Sequence, residues 1–279
     1  MLAMKRTSLP QVTLCAVDAR GPALAAQALQ RSMAHIDFGR VVLFTHQWSP
    51  PKALPGIEVL DIGPITSGAD YSRFVLRQLP AHVQTPHVLV TQWDGFVINA
   101  DAWTDEFLNF DYIGAVWPDQ PAAACVGNGG FSLRSQRLLL AGLDPRIEQL
   151  HPEDLMLGSR YRSLLETAHG VRFAPPALAR QFAFENEAPG GPTFGFHGPY
   201  NLPRVLDQST LAAWIEVLPP EFFRSRDARR LARALLAQRM PEVAQRLLQR
   251  RRAAGRNDIN TRCLGAVAAV MRCLPMQTL

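Results

Sequence analysis

The pattern of apolar and polar positions divides the chain into two regimes. Up to about Leu206, short apolar runs alternate with amphipathic stretches. QVTLCAV (11–17) and RVVLFT (40–45) are apolar runs of strand length, and GPALAAQALQRSMA between them has apolar residues at helical spacing. Strand, helix and strand in that order begin a parallel sheet with helices on its faces. GIEVLDI (56–62) predicts a third, weaker strand. SGADYSRFVLRQLPAHV predicts a helix capped by Ser67 or Asp70, and PHVLVTQ (86–92) the next strand. DEFLNFDYIGAVWP mixes a short helix with a strand at 111–116, and GNGGFSLRS (127–135) reads as a glycine-rich loop running into the helix SQRLLLAGL. HPEDLMLGSRYRSLLETAHG (151–170) predicts a helix with Pro152 at its start, Glu153 and Asp154 in its first turn and Gly170 as its stop. VRFAP predicts a short strand, and FGFHGPYN follows a Gly/Pro loop. Beyond Leu206 only helical periodicity remains, in DARRLARALLAQRM, PEVAQRLLQRRRAA and DINTRCLGAVAAVMRCL. The expected organisation is an α/β domain over 1–206 and a helical appendage over 207–279.

Composition changes this picture little. At 279 residues, 47% hydrophobic and 19% charged, the chain is long enough to bury a full core. No apolar run approaches the roughly 20 residues of a membrane span, and VTLCAV is too short for a signal peptide. A cytoplasmic location is expected, or one peripheral to the inner face of a membrane. Cys15, Cys125, Cys263 and Cys273 form no CxxC and read as small hydrophobes. Charge is distributed unevenly. Residues 221–279 carry thirteen arginines against four carboxylates, a net of +9, which leaves about −4 for the rest of a chain whose total is +5. Only two lysines accompany 27 arginines, a bias that fits genomic composition better than phosphate recognition. The tail has only Trp214, Phe222 and Phe223 near its start, so nucleic acid is not an expected partner. Its arginines, with apolar stripes at Leu231, Leu235, Val243, Leu247 and Leu248, form either a solvated face over the domain or a peripheral contact with anionic membrane.

Four features carry candidate chemistry. Ligands of open α/β sheets bind beyond the carboxyl ends of the strands, where VTQWDGF places Asp94. The alternative for Asp94 is a turn residue before Gly95. Glu153 and Asp154 are either dipole-favoured first-turn carboxylates or a general base. The glycines around Asn128 allow close backbone approach, but their spacing is neither GxGxxG nor a P-loop. His197 in FGFHG is either a packed histidine or a ligand, and the histidines show no HxxxH spacing.

Together, DYSRFVLRQL, VTQWDGFVINADAW, FDYIGAVWP, VGNGGFSLRS, HPEDLMLG, FAPPALARQFAFE and FGFHG resemble the GT-A fold glycosyltransferases, and more closely a bacterial family of glycosyltransferase-like domains of unassigned specificity. The resemblance covers roughly 11–205. It implies a GT-A-like (Rossmann-like) mixed, mostly parallel sheet flanked by helices, and transfer of a sugar from a nucleotide-sugar, UDP-linked by family frequency, to an acceptor hydroxyl. It places Asp94 at the last carboxylate of a D-x-D motif, binding Mn2+ or Mg2+ that bridges the donor diphosphate. Gln92 stands where the first carboxylate would be, so weaker metal affinity or metal independence is the alternative. The resemblance further puts Tyr71 and Arg73 near the donor, Arg73 facing a phosphate or Asp94, and Val17 and Asp18 at the base. Asn128, Gly129, Gly130 and Trp93 would line the sugar and acceptor site, and His197 would complete the metal site. Asp154 would be the base of an inverting single displacement, with Glu153 binding an acceptor hydroxyl or orienting the loop, and an exchange of those two roles left open. The acceptor is expected to be a glycan or glycolipid. Two rivals stand beside this reading. One is a degenerate nucleotide-sugar or glycan binder, motivated by Gln92. The other is a nucleotidyltransferase, disfavoured because DARGPALAAQ lacks a basic, glycine-rich phosphate loop.

Overall fold

The computed structural model describes residues 6–273. Their contacts divide into two compact units, Met1–His197 and Gly198–Leu279. The expected break at Leu206 lies inside the second unit, because the short helical turns over 199–205 contact the helices that follow them.

The first unit is built on a six-stranded sheet. Strands β1 (Thr7–Val17), β2 (Ile36–Thr45), β3 (Glu58–Asp61) and β4 (His87–Thr91) are parallel, in the order β3-β2-β1-β4. Three short strands follow. β5 (Phe96–Val97) belongs to a second sheet, β6 (Tyr112–Gly114) is the far edge of the first, and β7 (Phe131–Ser135) lies between β4 and β6, antiparallel to both. β8 (Ala183–Phe184) and β9 (Gly195–Phe196) complete the small sheet β5-β9-β8. This is the mixed, mostly parallel sheet flanked by helices that was expected. The sequence reading misses β7, which it gives as a loop, and the two-residue strands β5, β8 and β9 of the small sheet.

Helices cover the faces of the sheet. Helix α1 (Pro22–Ser32) buries Leu24, Ala25, Ala28 and Leu29, and Pro22 fits its start because the missing N–H would lack a partner there anyway. Helix α2 (Gly68–Arg77) opens with a capping box. Ser67 Oγ accepts the Asp70 N–H at 3.1 Å, and Asp70 Oδ2 accepts the Ser67 N–H at 3.0 Å. The expected single helix over 67–83 breaks at Gln78, and the turn α3 (Leu79–His82) restarts with Pro80 in its first turn. Helix α4 (Gln136–Ala141) follows β7 directly, capped by Ser135 Oγ. The expected helix over 151–170 is three pieces: the turn α5 (Glu153–Leu155), a π-helical turn at Met156–Arg160, and α6 (Arg162–His169), which Gly170 ends in the left-handed region at φ 63°. VRFAP forms only a single bridge, Phe173 to Tyr112, before α7 (Pro176–Phe182).

The second unit is helical, as expected: α8 (Leu202–Val205), α9 (Gln208–Val217), α10 (Arg226–Ala237), α11 (Pro241–Ala253) and α12 (Ile259–Cys273). Leu231 and Leu235 of α10, and Val243, Leu247 and Leu248 of α11, are all buried. These leucines and valine form the core of the unit, so the apolar stripes proposed to meet a membrane are not on the surface. Buried Arg251 ties the unit together, donating to the carbonyls of Phe223 (2.7 Å) and Ser225 (2.9 Å) and to Thr261 Oγ1 (2.9 Å).

Candidate functional site

Parallel pairing aligns the carboxyl ends of β1 and β4, Ala16 opposite Thr91, and the chain after each strand enters the site. After β1, Asp18 Oδ1 accepts the N–H groups of Arg20 (2.8 Å) and Gly21 (2.7 Å). Burial raises its pKa, those two N–H groups oppose the rise, and the Asp94 carboxylate adds to it, so the two carboxylates are electrostatic neighbours. After β4, the chain turns at QWDG, where the Gly95 N–H donates to the Gln92 carbonyl at 3.1 Å and the Thr91 hydroxyl to the Gly95 carbonyl. Asp94 is only 7% exposed, and its Oδ1 accepts no hydrogen bond.

His197 faces it from the end of β9. β9 pairs with β5, Phe96 opposite Phe196, which brings a residue 103 positions after Asp94 beside it. Nε2 of His197 lies 3.5 Å from Asp94 Oδ1 and 3.3 Å from Gln92 Oε1. Nδ1 lies 3.1 Å from Glu185 Oε1 and 3.1 Å from Asn128 Nδ2. Burial disfavours a charged imidazole, but Asp94 and Glu185 on opposite sides outweigh it and hold the pKa well above the usual histidine range. His197 therefore stands between two carboxylates that favour its charged form.

The glycine-rich loop lies against this histidine. Asn128 adopts the left-handed region at φ 70°, and its Oδ1 accepts the N–H groups of Gly130 and Phe131, both at 3.2 Å. A Cβ on Gly130 would overlap the His197 imidazole, and one on Gly129 would overlap Glu153 Oε1. Both positions require glycine for close approach. The Gly129 N–H donates to Asp154 Oδ2 at 3.1 Å, and the Leu155 N–H to Asp154 Oδ1 at 2.9 Å. Asp154 is half-buried, with its carboxylate oriented by the loop.

Glu153, its sequence neighbour, has a different setting. It is 4% exposed, and its Oε1 accepts from Arg134 Nη2 at 2.7 Å. Arg134, on β7 and 1% exposed, also donates from Nε to Ser132 Oγ at 2.9 Å, while its Nη1 is buried without a hydrogen bond. Burial pushes the Glu153 carboxyl above its usual range although Arg134 pulls it down. Enclosed in this way, Glu153 is paired with Arg134 beside the glycine loop.

Among the other expected site residues, Val17 is buried at the end of β1, and Gln92 and half-buried Trp93 lie in the turn that carries Asp94. The Tyr71 hydroxyl is buried near Gln92 and Glu153. Arg73 does not meet Asp94. It is exposed and pairs with Asp70 on its own helix at 3.7 Å, because the inward position of that turn belongs to Ser72, whose Oγ accepts the Glu153 N–H at 3.2 Å. Two site residues were missed. Arg134 was hidden by reading β7 as a loop, although alternation in FSLRS would have put Ser132 and Arg134 on one face. Glu185 ends the stretch FAPPALARQFAFE, and only its pairing to His197 reveals a role.

Asp94 and His197 fit a cation. The Oδ1 of Asp94 is buried, makes no hydrogen bond and has His197 Nε2 at 3.5 Å. Ligands about 2.0–2.1 Å from one octahedral ion stand roughly 3 Å apart, close to the 3.5 Å observed. Coordination would require Nε2 of His197 to be unprotonated. Two side chains make only part of a shell, and among the described residues no group of three or more His, Cys, Asp or Glu is placed to hold an ion. The remaining ligands would have to come from substrate and water.

The stretch that builds this site is also the stretch that a family model matches, residues 56–197. The chain belongs to the DUF5672 family, proteins of unknown function. The DUF5672 span begins after β2 and ends on His197, so it includes Asp94, Asn128, Asp154 and His197 and leaves out Val17 and Asp18. No curated protein matches the chain. Solved structures similar to this DUF5672 protein include the mannosyltransferase PcManGT from Pyrobaculum calidifontis in complex with GDP-Man and Mn2+, at 11% identity over 98% of this chain and 84% of that one, TM-score 0.42. A glycosyltransferase involved in glycosylation of the major capsid of PBCV-1 is 11% identical over 67% of this chain and 91% of that one, TM-score 0.40. The apo-form glycosyltransferase GlyE of Streptococcus pneumoniae TIGR4 is 14% identical over 69% of this chain and 54% of that one, TM-score 0.39.

Proposed function

We propose that this protein transfers a sugar from a nucleotide-sugar to an acceptor hydroxyl by inverting single displacement. The observation that carries the reading is the convergence, beyond the carboxyl ends of β1 and β4, of buried Asp94, His197 3.5 Å from its Oδ1, and a glycine loop that holds Asp154. Asp94 and His197 would hold Mn2+ or Mg2+ with the donor diphosphate. Such a cation neutralises charge on a leaving diphosphate. Asp154 removes the proton from the acceptor hydroxyl as its oxygen attacks the anomeric carbon, and the nucleoside diphosphate departs from the opposite side. Asn128, Gly129 and Gly130 bring backbone against the sugar, Trp93 offers an apolar surface for it, and Asp18, Val17, Tyr71 and Gln92 line the nucleotide. Glu153 and Arg134 keep the loop in place. The acceptor is a glycan or glycolipid.

One observation favours a second reading, a binder without turnover. Asp94 already pairs with His197 at 3.5 Å, and Gln92 adds no charge to attract a cation.

Thermal unfolding with a panel of nucleotide-sugars, UDP-linked ones first, with and without Mn2+, tests both. A ligand at about 100 times its Kd stabilises by about 2.7 kcal/mol. The transferase reading expects stabilisation by one donor, enhanced by Mn2+, and release of nucleoside diphosphate seen by mass spectrometry. Stabilisation without any transfer or hydrolysis selects the binder. No stabilisation by any nucleotide-sugar removes both.

A further inference from the structure

The second unit has one face that its own packing leaves bare. On α12, only Thr261 and Ala268 are buried. At 3.6 residues per turn, the opposite face carries Ile259, Cys263, Ala266, Val267, Val270 and Cys273, all exposed. Ile259, Val267 and Val270 are 67%, 48% and 62% exposed, and they are three of the eight large hydrophobic residues exposed among the described residues. The same count from a helix in a solvated appendage would be polar there, since an amphipathic helix places charge on its outer side.

Charge indicates what this face meets. α12 contains Arg262 and Arg272 and no carboxylate. The guanidinium of Arg252 lies against Gly265, on the same flank as Arg262 by the helical repeat. An apolar stripe therefore runs beside two guanidinium groups, those of Arg252 and Arg262, while Arg272 is turned to α11, where it pairs with Glu242 at 3.8 Å and donates to Gln245 Oε1. Residues 198–279 contain fourteen arginines and six carboxylates, a net of +8. A second copy docked on this face would set like charges against each other with no carboxylate on α12 to compensate. An anionic surface would not.

We infer that this face of α12 adsorbs to an anionic lipid bilayer. The stripe of Ile259, Val267 and Val270 enters the boundary between headgroups and acyl chains, and the flanking arginines meet lipid phosphates and carboxylates, as amphipathic helices lying in an interface do. The surface differs from the one expected of α10 and α11, whose leucines are core, and it is independent of the chemistry proposed for the first unit.

Co-sedimentation of the full chain with vesicles tests this. Phosphatidylcholine vesicles with and without roughly 30% phosphatidylserine supply and remove the anionic charge. Binding is expected to the anionic vesicles alone, and to weaken when salt rises from about 0.1 M to about 0.5 M. The double variant Val267→Asp, Val270→Asp should lose at least about tenfold in vesicle affinity with its melting temperature unchanged, since both side chains are exposed. Arg262→Gln with Arg252→Gln should reduce the salt dependence. Equal binding to neutral and anionic vesicles, no binding to either, or parent-like binding by the double aspartate variant would overturn the inference. Light scattering that finds a dimer in the parent and a monomer in that variant would assign the face to a second copy instead.

Discussion

Asp94 and Asp154 illustrate how two carboxylates on neighbouring loops acquire different work. Asp94 is buried beside His197, with an oxygen that makes no hydrogen bond. Asp154 is half-buried and held by backbone N–H groups of Gly129 and Leu155, a setting for a base that must accept a proton from a ligand in front of it. If Asp154 is that base, Asp154→Asn should lower kcat by about 10²–10⁴ while donor-induced thermal stabilisation persists. Full transfer activity in this variant would remove the assignment. Asp94, Asn128 and Asp154, singled out through the motifs that carry the family resemblance, do come together in space. Arg73 shows the limit of such reading. Successive residues of a helix differ by about 100° in direction, so a motif can place α2 near the site and still mislead about which of Ser72 and Arg73 faces inward.

At the scale of elements, β7 decides how the site is supported. It brings Arg134 under the glycine loop, where it neutralises Glu153. Removing one member of a buried ion pair costs about 3–5 kcal/mol, so Arg134→Met should destabilise by that amount at neutral pH. The sign with pH follows from Glu153. Its pKa is already raised by burial, and loss of the guanidinium raises it further. A carboxyl raised in the folded state contributes stability that is present below its unfolded pKa of about 4.3 and lost as pH rises through the folded value. The penalty of Arg134→Met should thus shrink toward pH 4 and reappear on the way to neutrality, as denaturant titrations at the two pH values would report. A penalty equal at both would show that Glu153 does not respond to Arg134. The strand escaped sequence reading because GNGG dominates its start. The break of the helix over 151–170 escaped because apolar spacing stays compatible with helix through the π turn that turns the chain at Met156–Arg160.

For the whole molecule, the balance of carboxyl groups sets the acid limit. Asp61 is lowered to about 2 by the N–H groups of Gln47 and Gly63 and by His46. Asp70, Asp144, Asp207 and Asp258 are also lowered, by hydroxyl donors at Ser67 and Thr66, by Arg146, by Ser209 and by the Thr261 N–H respectively. Only Asp18 and Glu153 are raised among the described carboxyls with a shift. A lowered carboxyl adds stability that is present above its unfolded pKa of about 3.9 and lost as pH falls through the folded value. The melting temperature should hold from neutrality to about pH 4 and fall toward pH 2, which scanning calorimetry measures directly. A melting temperature as high near pH 2 as at neutrality would contradict it. The sequence by itself determined most strands and helices, the capping box at Ser67, the stop at Gly170 and the change to an all-helical second unit, because each is a periodicity or a terminus signal within some ten to fifteen residues. It also marked Asp94, Asp154 and His197 as candidates through their motifs. Only the tertiary structure decided that His197 stands between Asp94 and Glu185, that Arg134 pairs with buried Glu153, and that the tail's leucines are core while α12 keeps a bare face. Those outcomes depend on which strand pairs with which and which helix face finds a partner, as when β9 closes on β5 across about a hundred residues, and no local pattern encodes a contact of that range.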